Sequence, residues 1–118
     1  MTIQEFINKY EFHDSLIDTV AFDGESNKVI LHIDFAYWKQ EWYIENMPET
    51  DKLIVIFDGV CSIVCPNDVS WEQISIIQAS LEGDSIKFAL MNDITNDYLE
   101  IIIKCESVTI EYYENNQY

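Results

Sequence analysis

Three consecutive residues, His13, Asp14 and Ser15, bring an imidazole, a carboxylate and a hydroxyl together. A His-Asp pair can hold a metal ion, and a serine beside a histidine can become a nucleophile. Adjacent residues on an extended chain point in alternate directions, so the three cannot form a hydrolytic triad among themselves. Ser15 also lacks the Gly-flanked elbow that exposes a hydrolase nucleophile. A metal site would need further ligands, and His32 is the one other histidine. The position of the run, between a helical segment and a strand, favours a structural task. Asp14 and Ser15 can satisfy free backbone groups there, with His13 stacking or bonding in the same corner. An enzyme or metal domain built on His13, Asp14 and His32 would require the two histidines to meet in space.

The other reactive groups give equally little chemistry. Asp93, Asp97 and Glu100 could gather near one turn, and Asp18 and Asp34 near another, where Ca²⁺ could be held loosely. No spacing resembles an EF-hand loop, and with 22 Asp+Glu a solvated acidic face is the favoured reading. Cys61, Cys65 and Cys105 are odd in number and sit in apolar contexts, as buried free thiols do. There is no Gly-rich phosphate loop, dinucleotide fingerprint or HExxH. The expectation is no catalytic residue, no metal site and no cofactor.

What stands out is charge. Six Lys+Arg against 22 Asp+Glu give a net charge of −16, in a chain that is 48% hydrophobic and 14% aromatic. Such a chain can bury a core and still present a strongly negative surface. It should repel nucleic acid and anionic membranes and attract a basic protein partner; its oligomeric state is not legible. At 118 residues it reads as a single domain spanning 1–118. The first residues show neither the basic region nor the apolar run of a leader, and no stretch is long enough to span a bilayer. A cytoplasmic location is the expectation.

The elements that must carry these residues are mostly strands. Residues 1–10 read as a short amphipathic helix, with Thr2 as N-cap and Ile3, Phe6, Ile7 and Tyr10 on one face. Leu16 to Phe22 and Lys28 to Tyr37 form a hairpin about the polar turn 23–27. Lys52 to Cys65 is β-rich, interrupted at Asp58-Gly59 by a turn or bulge. Residues 70–83 admit two readings. Ser70 to Gln73 fits a capping box, whereas Ile77, Ala79 and Leu81 alternate with Gln78, Ser80 and Glu82, which favours a hairpin with Ile86 to Met91. Tyr98 to Lys104 and Val108 to Tyr113 close the chain, and 114–118 should be a frayed tail. One helix and about seven strands predict a mainly β fold (α+β at the margin), a single antiparallel sheet curled or folded into a sandwich or half-barrel.

The long connection from Lys39 to Asp51 mixes aromatic and acidic residues. With the strand end before it, it supplies the candidate partner contact: Tyr37, Trp38, Glu41, Trp42, Tyr43, Glu45 and Glu49. Trp38 and Trp42 could equally cover one end of the core.

Phe12-His13-Asp14-Ser15-Leu16-Ile17, followed by Val29 to Asp34, Leu53 to Val60, Leu99-Glu100-Ile101 and Val108 to Glu111, resembles small bacterial domains with a Phe-His-Asp-Ser-type opening. Some of these are similar to the immunity protein 50 family of polymorphic toxin systems. The resemblance implies a compact, mostly β cytoplasmic domain with toxin neutralisation as a role, and it brings no catalytic residue. The reading is therefore a non-enzymatic acidic binding protein. The alternatives are a small ligand- or metal-binding domain and a structural homodimeric module.

Overall fold

The structure is a computed structural model and describes residues 1–36, 40, 50–66 and 70–112. The chain begins with helix α1 (Ile3–Lys9). Among the described residues eight strands follow: β1 (Leu16–Asp23), β2 (Lys28–Ala36), β3 (Thr50–Asp58), β4 (Ser62–Val64), β5 (Ile74–Glu82), β6 (Ser85–Asn92), β7 (Tyr98–Lys104) and β8 (Ser107–Tyr112). The helix starts where its sequence says it should. The Thr2 hydroxyl accepts from the Glu5 N–H, and the Glu5 carboxylate accepts from the Thr2 N–H, a closed capping box. Its apolar face sends Ile3 and Phe6 into the core.

All strands join one antiparallel sheet in the order β4-β7-β6-β5-β1-β2-β3-β8, with β4 and β8 at its ends. Eight strands replace the expected seven or so because Asp58-Gly59 is a full turn. Gly59 takes a left-handed φ of +64°, and the chain leaves β3 for β4, which is shorter than the expected strand from Val60. The capping-box reading of Ser70 to Gln73 is not realised. Gln73 has a φ of +58°, outside the helical region, and β5 begins at the next residue. The β5–β6 hairpin turns on Gly83 and Asp84, where the Gly83 φ of +61° permits so tight a reversal. Residues 114–118, expected as a frayed tail, lie outside the described residues.

The sheet has a seam. β1 and β5 pair only through Leu16↔Ser75 and Ile17↔Ile74, and each strand is bulged just beyond, between Ile17 and Thr19 and between Ile76 and Gln78. A bulge bends its strand and strengthens the local twist, so the two halves of the sheet turn away from one plane here. Their inner faces then share one core, in which Phe6, Phe12, Phe35, Phe57 and Phe88 are all fully buried. Phe12 sits at the centre of this aromatic cluster, with ring centroids 5.1 Å from Phe6, 5.3 Å from Phe35 and 5.9 Å from Phe88.

Candidate functional site

The His13-Asp14-Ser15 run lies on the seam, and its groups bond to backbone. The Asp14 N–H donates to the Ile76 carbonyl at 3.0 Å, and the Ile76 N–H donates to the Ser15 carbonyl at 2.7 Å, extending the short β1–β5 ladder. Asp14 reaches this position with a φ of +70°, a left-handed conformation that Asp tolerates better than most side chains. The fully buried Ser15 hydroxyl accepts the Ala36 N–H at 2.9 Å, tying the end of β2 to the same corner. His13 Nδ1 lies 2.7 Å from the Ile77 carbonyl. A carbonyl only accepts, so the hydrogen sits on Nδ1, while Nε2 faces Asp14 Oδ1 at 3.4 Å. Ile77 is the extra residue of the β5 bulge. The run therefore holds together the place where the sheet changes direction, with Phe12 anchored in the core in front of it.

His32 sits elsewhere. It projects from the middle of β2 between the inward-facing Leu31 and Ile33, and its Nδ1 shares a 3.0 Å hydrogen bond with Thr19. Among the described residues the two histidines have no common partner. Asp18 and Asp34 do converge, as the sequence suggested, but on an ammonium: Lys52 Nζ lies 2.6 Å from Asp18 and 2.7 Å from Asp34. Asp34 and Lys52 are cross-strand partners, and Asp18 reaches them because it is the extra residue of the β1 bulge. Hydrogen bonds from Asp18 first, then Asp34, hold the Lys52 pKa above its ordinary 10.5. The other expected acidic cluster disperses. Asp93 takes the Ser75 hydroxyl, Asp97 the Thr95 hydroxyl, and Glu100 the Tyr98 hydroxyl together with Lys87. The Tyr98 hydroxyl, followed by Lys87, depresses the Glu100 pKa. Among the described residues there is no group of three or more His, Cys, Asp or Glu that could hold a metal ion.

Register places a continuous surface on the outer side of β1, β2, β3 and β8. Ile30 faces Ile56, His32 faces Ile54, and Thr109 and Glu111 continue the same rows on β8. Asp18, Asp34 and Lys52 border these isoleucines at one end, and the Lys28–Asp58 pair (3.4 Å) borders them at the other. All three isoleucines are half-buried. An apolar strip with carboxylates at its rim is the composition of a protein-binding face.

The contact residues expected from the sequence, Tyr37, Trp38, Glu41, Trp42, Tyr43, Glu45 and Glu49, lie outside the described residues. One neighbour of theirs is described and was not singled out. Gln40 is buried, donating from Nε2 to the Glu11 and Ala36 carbonyls at 2.7 and 2.9 Å and accepting the Glu11 N–H at 3.0 Å. Nothing in the local sequence announces that role. Lys52 could have been found only by fixing the β2–β3 register, which sets it opposite Asp34.

The fold and this surface define a small, mainly β domain built on one open antiparallel sheet. No family model, curated protein or solved structure matches the chain. Among the described residues no helix is long and apolar enough to cross a membrane.

Proposed function

We propose that this chain is a non-enzymatic binding protein that presents a negative surface to a basic protein partner, a toxin being the target its sequence resemblance suggests. The observation carrying this reading is how the cations are used. Lys28, Lys52, Lys87 and Lys104 each lie within 4.0 Å of an Asp or Glu, and the Lys9 ammonium sits 5.6 Å from the Tyr10 ring centroid. Four of the chain's six lysines are thus paired with its own carboxylates, and among the described residues no Asp or Glu is buried. A surface of one sign speeds encounter with a partner of the other and disfavours competitors of its own sign. The outer isoleucine strip and the acidic 39–51 connection supply the two candidate contact areas.

Affinity capture from the source cell's lysate at low and at high salt tests the reading, because exposed charges are screened beyond about 8–10 Å at physiological salt. One basic protein retained at low salt and weakened at high salt is the expected result. Its association should slow, and lose its salt dependence, when Glu41, Glu45 and Glu49 become Lys. An on-rate indifferent to both salt and these substitutions, or the absence of any basic partner, would overturn the proposal.

A further inference from the structure

We propose that Cys61 and Cys105 form a redox modification site, an intramolecular disulfide closed and reopened by exchange with a small disulfide. Cys61 immediately precedes β4 and Cys105 immediately follows β7. These strands pair antiparallel, Ile63 with Ile103 and Ser62 with Lys104, and the ladder ends there, with Cys61 and Cys105 the next residue on either strand. The Cys61 N–H donates to the Lys104 carbonyl at 2.9 Å, and its Sγ lies 3.6 Å from the same oxygen. The Cys61 thiol is therefore held against the peptide unit that leads into Cys105. A disulfide bridges Cα atoms about 4.4–6.8 Å apart, the separation the proposed link requires of these two strand ends.

Both flanking turns are fixed in position. The Glu106 N–H donates to the Asp58 carbonyl at 2.9 Å, and the Val60 N–H to the Asn27 carbonyl at 2.9 Å. Gly59 lies so close to Glu106 that a Cβ on it would meet that side chain at 2.7 Å. Burial, with a smaller push from Cys61, raises the Cys105 pKa to about 11. Against the buried thiols expected from the sequence, Cys61 is exposed and Cys65 and Cys105 are only half-buried. Cys65 follows the other end of β4, about 13 Å along an extended strand from Cys61, and is no competitor.

Exposure sets the order of events. The Cys61 thiolate attacks one sulfur of oxidised glutathione, forming a mixed disulfide and releasing one glutathione thiolate. Cys105 then gives its proton to solvent, its sulfur attacks Cys61 Sγ, and the second glutathione thiolate leaves. Two protein thiols become one disulfide while one glutathione disulfide becomes two thiols. The product ties the β3–β4 turn to the β7–β8 turn.

The native protein equilibrated with oxidised glutathione, then alkylated and digested, reads the outcome directly by mass. The expected product is monomeric, lighter by two hydrogens, and linked between the peptides of Cys61 and Cys105. Cys65→Ser should form the same link, and Cys61→Ser should form none. Adding reduced glutathione in excess should reverse it. A glutathione adduct persisting on Cys61, a link through Cys65, a disulfide-linked dimer or an unmodified protein would each overturn the assignment.

Discussion

The rings of Phe57 and Phe88 meet edge-on with centroids 6.2 Å apart, although β3 and β6 stand four positions apart in the sheet. Strands spaced about 4.8 Å in a flat sheet would separate them by roughly 19 Å. The sheet must therefore bend back on itself between these two strands, and the bulged seam of β1 and β5 lies within that interval. Phe12 is packed between the halves, touching Phe35 on one and Phe88 on the other.

Phe12→Ala should consequently cost more than the loss of an ordinary strand residue, because the cavity opens between two faces. A destabilisation of about 3–5 kcal/mol is expected. Urea unfolding followed by tryptophan fluorescence measures it, and a cost under about 1 kcal/mol would contradict the central place given to this ring.

Ser15→Ala removes the acceptor for a buried N–H on Ala36 without changing the shape of the corner. Leaving that donor unsatisfied should cost about 1–3 kcal/mol. Hydrogen exchange at Ala36 provides the residue-level check, with protection expected to fall there before it falls at the centre of β2.

Gln40→Glu is nearly isosteric and should still be strongly destabilising. The amide donates to two carbonyls, and a carboxylate would set negative oxygen against both. A loss of about 3 kcal/mol at neutral pH is expected, shrinking as acid protonates the new carboxyl. Equal stability of variant and parent in thermal melts would show that Gln40 does not hold Glu11 to Ala36 in solution.

Lys52→Met leaves Asp18 and Asp34 facing each other, whereas Asp18→Asn leaves the Asp34–Lys52 pair in place. All three side chains are about a third or more exposed, so solvent limits the effect to about 1 kcal/mol for Lys52→Met and less for Asp18→Asn. The penalty of Lys52→Met should shrink in high salt, since what remains is repulsion between exposed charges. The raised Lys52 pKa adds stability that is complete below 10.5 and is lost as pH climbs through the folded value.

The capping box gives a pH dependence of opposite sense. Thr2, through its backbone N–H and then its hydroxyl, holds the Glu5 pKa below its ordinary 4.5. A depressed carboxylate contributes stability that is fully present above 4.5 and is lost as pH falls through the folded value. Glu5→Gln keeps an acceptor but cannot titrate. The stability advantage of the parent over this variant should be constant near neutrality and decline below about pH 4.5. An advantage that grew in acid would reverse the assignment.

Local physics made part of this protein readable in advance. The helix follows from Thr2 and Glu5, which satisfy each other's N–H groups, and from apolar residues at helical spacing. Strand β2 follows from strict alternation, with Val29, Leu31, Ile33 and Phe35 all buried. The acidic excess is a property of composition alone. The contact residues proposed between Tyr37 and Glu49 fall outside the described residues, so that part of the candidate surface still rests on the sequence.

Tertiary contacts decided the rest. Residues 70–83 admitted two readings because β5 carries a bulge: its inward residues Ile74, Ile76 and Ala79 are spaced by two and then three, which fits neither period cleanly. That bulge is fastened by His13 and Asp14, some sixty positions earlier, and no window of neighbouring residues contains such information. The same holds for Gln40, whose bonds reach Glu11, and for Asp18, Asp34 and Lys52, which meet only once two strand registers and a bulge are set. Sequence determines which backbone each segment prefers, since propensity and periodicity act over a few residues. Which side chains finally meet depends on how the sheet bends, and the whole chain settles that together.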